Sequence, residues 1–211
     1  MNTLKKISAH SPYFFSLLFF FICASSFLFI SGNANCFLIL NQYHQPILEK
    51  VFIGVSYLGD GVFVILVSLL FFIFKKRKEA LLIFATYALS GILAQIIKNL
   101  IPMPRPLLFF KPEQYNHFIE GVSYANMASF PSGHTTSAFA LATTLIFIIK
   151  SKKWDILLLI LAIGVGFSRI YLGQHFLLDV ITGAFLGFIS TILILWMYLD
   201  TNIFKKKSMI D

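Results

Sequence analysis

Ser168-Arg169-Ile170-Tyr171-Leu172-Gly173-Gln174-His175-Phe176-Leu177-Leu178-Asp179 is the stretch on which the reading of this chain turns. It sets an arginine, a histidine and an aspartate between two apolar runs. His175 and Asp179 are four residues apart. On a helix that spacing places both on one face, about 6 Å apart along the axis. Helical side chains lean toward the N-terminus, so Asp179 would point back at His175. A carboxylate there holds one imidazole nitrogen as N–H and leaves the other with a free lone pair. Such a nitrogen can act as a nucleophile or a base. Arg169 adds a planar cationic fork that suits a phosphate or a carboxylate. The plainer alternative is a surface His–Asp pair that caps a helix, and the rest of the chain has to decide.

The flanking runs set the class. The 211 residues are 58% hydrophobic and only 12% charged, with 25 Phe. Soluble domains carry roughly 25% charged residues. The chain is therefore expected to be all-α and polytopic in the membrane, with one integral-membrane domain spanning 1–211. The net charge of +8 is assigned to cytoplasmic loops. No aromatic–basic interleave suggests nucleic acid, which is excluded as a partner. Cys23 and Cys36 lack a metal-ligand spacing and are expected to pack rather than pair.

Six spans are predicted, at about residues 13–30, 51–74, 80–101, 132–149, 154–172 and 175–199. The first follows a head, residues 1–12, with Lys5 and Lys6. It is too long for a signal-peptide core and is expected to be retained. Residues 33–50 are mixed in polarity and predict a short interfacial helix, with His44 solvated there. Asp60, between Gly59 and Gly61, is a charge within an apolar span. It is either functional or merely given access by its glycines to water or a neighbouring helix near one membrane face. Pro102 and Pro104 end the third span and open a long loop, 102–131. Loops of that length are uncommon unless functional. His117, within it, has no partner at a telling spacing. Gly183 and Gly187 form a small-xxx-small packing face.

Charge predicts the topology. Twelve of the 17 Lys and Arg residues fall in the head, in Lys75–Lys78, in Lys150–Lys153 and in the Lys205–Lys207 tail. With six spans these lie on one side, which the positive-inside rule makes cytoplasmic, both termini included. The outer side then receives the end of the third span, the long loop, the start of the fourth span and the turn between the fifth and sixth. Three polar clusters meet there. Lys98 and Arg105-Pro106 form the first; an ammonium near the end of an apolar helix is costly unless it snorkels or meets an anion. Pro131-Ser132-Gly133-His134 forms the second, at a helix start whose free N–H groups and positive dipole end suit a phosphate. The quoted stretch is the third. Together they provide three fixed cations, a helix N-terminus and two histidines, an inventory for phosphoryl transfer without a metal.

Taken in order, Lys98-(six)-Arg105-Pro106, Pro131-Ser132-Gly133-His134 and Ser168-Arg169-(five)-His175-(three)-Asp179 resemble the three signature motifs of the type 2 phosphatidic acid phosphatase (PAP2) superfamily. The direct resemblance covers residues 98–179, and the six-span layout is similar to the family's membrane branch. The resemblance implies that His175 is the nucleophile forming a phosphohistidine and that Asp179 orients it. It implies that His134 protonates the leaving oxygen and later serves as base toward water. It assigns Lys98, Arg105, Ser132, Gly133 and Arg169 to the phosphate-binding shell, and it requires no metal or other cofactor. The function so implied is hydrolysis of a phosphate monoester or diphosphate of a membrane lipid at the outer face of a bacterial cytoplasmic membrane, with the substrate arriving sideways from the bilayer. Undecaprenyl diphosphate, lipid A, phosphatidylglycerol phosphate and phosphatidate are the candidate classes. Alternatives on the same scaffold are a lipid phosphotransferase and a non-catalytic lipid-phosphate transporter or binding protein. Oligomeric state is left open.

Overall fold

A computed structural model of the chain describes residues 10–125, 127–149 and 151–200, and among these the regular structure is entirely helical. In chain order the helices are α1 (Ser11–Ser31), α2 (Asn33–Leu40), α3 (Pro46–Tyr57), α4 (Gly61–Ile73), α5 (Arg77–Leu100), α6 (Pro106–Phe109), α7 (Gly133–Ile149), α8 (Lys152–Tyr171) and α9 (Leu177–Asp200). Four of them, α1, α5, α8 and α9, are long and apolar enough to cross a membrane. The α3–α4 pair makes a fifth span if it is taken as one element bent by 51°. The head with Lys5 and Lys6, Lys150 and the Lys205–Lys207 tail lie outside the described residues. The charge-based sidedness of both termini lies there with them.

The predicted second span differs most from expectation. It begins at Pro46, not at residue 51, and it breaks at residues 58–60. Asp60 is the reason for the restart: it caps α4, its carboxylate accepting the Val62 N–H at 2.7 Å. Gly59 allows the break to sit deep in the bundle. A Cβ there would lie 2.5 Å from the carbonyl oxygen of His134 and from Val165 Cγ1. The mixed 33–50 segment is thus α2, a turn and the first turn of α3, rather than one interfacial helix.

At the centre stands α7, packed against α5, α8 and α9. It has 17 residues, about 25 Å by helical rise. Residues 135–144 are all buried. A helix surrounded on every side must satisfy its polar groups internally. Thr136, Ser137, Thr143 and Thr144 do so, returning their hydroxyls to the carbonyls of Ser132, Gly133, Phe139 and Ala140 at 2.7–3.1 Å. The glycines of α9 let it approach. A Cβ on Gly183 would sit 2.6 Å from the Ser132 carbonyl oxygen, and one on Gly187 would collide with that of Thr136. The small-xxx-small face therefore packs α9 against α7 backbone to backbone. Large apolar side chains such as Phe15, Phe29, Ile73 and Trp196 are exposed on the outside, as a lipid-facing surface requires.

At the bundle end formed by the starts of α1 and α8, Asp155 is fully buried. It receives His10 Nδ1 at 2.9 and 3.0 Å. No spacing rule links residues 145 apart, so this pair was not foreseen.

Candidate active site

The opposite end of the bundle gathers the C-terminal ends of α5 and α8 and the N-terminal ends of α7 and α9. Its centre is the α8–α9 turn. Gly173, at φ +66°, takes the left-handed conformation that closes a helix with little penalty. The Gln174 and His175 N–H groups then return to the Arg169 carbonyl at 2.9 and 3.1 Å. His175 follows in the turn, and α9 starts two residues later. The residue therefore precedes the helix that was expected to begin with it.

Asp179 is the third residue of α9. Its Oδ2 accepts the Phe176 N–H at 3.0 Å, the carboxylate half of a capping box. The same oxygen accepts Ser129 Oγ at 2.5 Å and lies 3.3 Å from His175 Nδ1. Since a carboxylate only accepts, Nδ1 carries the imidazole proton and Nε2 keeps its lone pair. Both residues are buried, at 2% and 1% exposure. This excludes a surface His–Asp pair, although Asp179 does cap a helix. Burial pulls the His175 pKa well below its usual value. The hydrogen bond and charge of Asp179 oppose that shift, and Arg105 and Arg169 reinforce it, so the ring is neutral near pH 7.

Ser132 caps α7. Its Oγ takes the Thr135 N–H at 3.4 Å and the Thr135 hydroxyl at 2.8 Å, and the residue is fully buried. Its hydroxyl oxygen is thus already engaged within the chain. Its own N–H donates to the Asp179 carbonyl at 3.0 Å, which ties the starts of α7 and α9 together. Gly133 faces open space. His134 Nε2 lies 3.7 Å from Asp60 Oδ2, so the broken second span gives this imidazole a carboxylate neighbour too.

The cations are held by specific acceptors. Lys98 Nζ donates to the Ala128 carbonyl at 2.6 Å. Arg105 donates from Nε to the Met127 carbonyl at 3.4 Å and from Nη1 to Gln174 Oε1 at 2.6 Å. Burial lowers the pKa of Arg105 and the Asp179 charge raises it. Arg169 Nη1 meets Ser56 Oγ at 2.5 Å, while Arg169 Nε is buried with no hydrogen-bond partner. Arg105, His134 and Arg169 line one cavity of about 370 Å³, together with Asp60, Ser123 and Gln174. Lys98, Ser132, Gly133, His175 and Asp179 do not form its wall. Sequence reasoning missed Ser129, Gln174 and Ser56. Gln174 lies unmarked inside the spacing between Arg169 and His175. Ser56 and Ser129 reach the site only through the fold and carry no local signal.

One histidine needs correction: His44, expected to be solvated, is largely buried and stacks on His117 with ring centroids 3.8 Å apart. His117 is a loop residue as expected, and its partner, which no spacing marks, is Glu49 at 3.1 Å.

A sequence model of the PAP2 superfamily matches residues 79–203. Among curated relatives, the undecaprenyl-diphosphatase of Sulfolobus acidocaldarius is 30% identical, over 83% of this chain and 86% of its own. The lipid A 4'-phosphatase of Porphyromonas gingivalis is 34% identical, over 74% of this chain and 68% of its own. The crystal structure of Aquifex aeolicus LpxE superposes with a TM-score of 0.66 at 31% identity, covering 77% of this chain and 94% of that one.

Proposed function

The chain belongs to the PAP2 superfamily of phosphoric ester hydrolases, and we propose that it releases phosphate from a lipid monoester or diphosphate through a phosphohistidine on His175. The observation that carries this reading is one cavity of about 370 Å³ whose wall brings Arg105, Arg169 and His134 together, two guanidinium groups and an imidazole around a space that suits a phosphate.

In this mechanism His175 Nε2 attacks phosphorus while Nδ1–H stays on Asp179, which offsets the positive charge on the ring. His134 gives its proton to the departing oxygen. Water then attacks the N–P bond with His134 as base, releasing phosphate and free His175. Lys98, Arg105 and Arg169 stabilise the equatorial oxygens; Gly133 leaves room at the α7 N-terminus, and the Ser132 cap holds that terminus in place. The bent α3–α4 pair and the short, protein-encased α7 complete six spans with α1, α5, α8 and α9. Lys75–Lys78 and Lys152–Lys153 mark the end of the bundle away from the site. By the positive-inside rule that end is cytoplasmic, so the site faces outward. Undecaprenyl diphosphate and lipid A are favoured among the substrate classes because both present phosphate on the outer side; the relatives include phosphatases of both and a phosphatidylglycerophosphatase.

The test is purified protein assayed against undecaprenyl diphosphate, lipid A, phosphatidylglycerol phosphate and phosphatidate, with inorganic phosphate as readout and no lipid acceptor added. Phosphate release by the wild type and none by a correctly inserted His175→Ala variant is expected. Wild-type turnover by that variant would remove His175 as nucleophile, and strict dependence on a lipid acceptor would make the protein a phosphotransferase.

A further inference from the structure

One turn of α3 away from the cavity wall lies a second constellation that phosphoryl transfer does not use. Glu49 sits in the first turn of α3, four residues before Ile53, which lines the cavity. His117 comes from the long loop, four residues before Gly121 on the same cavity wall. His44 comes from the α2–α3 turn. One ligand atom from each, a nitrogen from either ring and a carboxylate oxygen, lies within 4.8 Å of the other two.

The tautomer of His44 can be worked out. Asn41 Nδ2 donates to the carbonyls of Ile170 and Tyr171, both at 2.7 Å, which fixes the amide with Oδ1 as acceptor. His44 Nε2 faces that Oδ1 at 3.2 Å and the Asn41 carbonyl at 2.9 Å. Two acceptors require a donor, so Nε2 carries the proton. His44 Nδ1 therefore presents a lone pair, and it is buried with no hydrogen-bond partner. Its nearest charged neighbour, Glu49 Oε1 at 3.8 Å, is another acceptor. Two facing lone pairs, with a second imidazole stacked alongside, lack only a cation between them. An N–H returned to a backbone carbonyl is also how metal-binding histidines are held in orientation.

We propose that His44 Nδ1, His117 Nε2 and a Glu49 carboxylate oxygen bind one divalent transition-metal ion of the zinc class, which pins the 111–124 loop to α3. Two imidazoles and one carboxylate select this class over calcium or magnesium and leave a fourth position for water. Tetrahedral bonds of about 2.0–2.1 Å require ligand atoms roughly 3.3 Å apart. The Glu49 contacts, at 3.1 and 3.8 Å, already approach that value. His117, with its side chain 40% exposed, is free to close the remaining gap. The ion would act on the loop and not on the reacting atoms.

The test uses tag-free, EDTA-stripped full-length protein titrated with Zn²⁺ by calorimetry and with Co²⁺ by absorption, followed by glutamyl-endopeptidase cleavage at the exposed Glu113. One ion per chain is expected, with Zn²⁺ slowing cleavage at Glu113. His117→Ala and Glu49→Gln should each weaken binding by about 10- to 100-fold or more and abolish that protection. Absence of saturable uptake, or uptake and protection unchanged in both variants, would overturn the proposal. Neither readout depends on phosphatase activity, so failure of the proposed reaction would leave this test intact.

Discussion

Asp179→Asn isolates the group on which the proposed nucleophile depends. The side chain keeps its shape but loses its charge and one acceptor. In the wild type a single oxygen receives Ser129 Oγ, the Phe176 N–H and His175 Nδ1. An amide oxygen can keep two of these contacts. If the amide turns its NH₂ toward His175, Nδ1 becomes the acceptor and the proton moves to Nε2, the atom that must attack. The equivalent loss of an oriented carboxylate beside a catalytic histidine lowers kcat by about 10⁴. At 1.36 kcal/mol per tenfold, that is roughly 5–6 kcal/mol of transition-state stabilisation. The neutral cap costs far less, about 0.5–2 kcal/mol of folding stability. Arg105, Arg169 and His134 keep their places on the cavity wall, so KM should change only a few-fold. Phosphate release in detergent micelles, measured over substrate concentration, gives kcat and KM separately, and thermal unfolding of the same sample checks the fold. A folded variant within tenfold of wild-type kcat would refute the orienting role. A large rise in KM at unchanged kcat would place Asp179 in substrate binding instead.

Other outcomes follow from the same geometry. Because the folded His175 pKa lies below 6.5, the unfolded chain binds the proton first. This group therefore leaves stability unchanged above about pH 6.5 and lowers it as pH falls below that value; a thermal midpoint constant from pH 7.5 to 5 would contradict this. The acid limb of kcat/KM should likewise lie below the ordinary imidazole range; an acid limb at or above pH 6.5 would count against a buried, neutral His175 as nucleophile. EDTA should leave kcat largely intact, since Lys98, Arg105 and Arg169 already supply the positive charge; full loss restored by a divalent ion would overturn their assignment. Gly187→Val should destabilise the bundle by about 1–3 kcal/mol or more, because its side chain would meet α7 backbone; an unchanged unfolding midpoint in detergent would show that α9 can move away.

The parts of this protein legible in its sequence are those written in local spacing. The apolar runs announced the long spans, the four-residue step placed Asp179 against His175, and Gly183 with Gly187 marked where α9 meets α7. What escaped was whatever a long-range contact decides. The break at Gly59-Asp60 depends on the His134 carbonyl and Val165 behind it. Composition alone reads through that break, since Leu, Gly and Asp in an apolar run do not say what they will touch. Ser129 holds Asp179 from 50 residues away, and His10 holds Asp155 from 145. His44 escaped for the same reason: the ring that covers it, His117, comes from the distant long loop, and His117 in turn bonds Glu49 across 68 residues.

The two acidic residues nearest the site perform paired tasks. Asp60 starts α4 and sits beside His134; Asp179 starts α9 and holds His175. In each case a carboxylate already required by a helix N-terminus is also placed beside an imidazole, so the helix start and the chemistry share one constraint. The cations work through the same framework. Lys98 and Arg105 hold the carbonyls of Ala128 and Met127, and the Ser129 N–H is fixed on the Met103 carbonyl at 3.0 Å. The segment so clamped delivers Ser129 to Asp179. A phosphate drawing Lys98 and Arg105 toward itself would therefore pull on the loop that steadies the Asp179 carboxylate. In the proposed reaction, binding the anion and aligning His175 would thus share one loop, and Ser129→Ala is the substitution expected to separate them: it leaves every cation in place and loosens only the carboxylate.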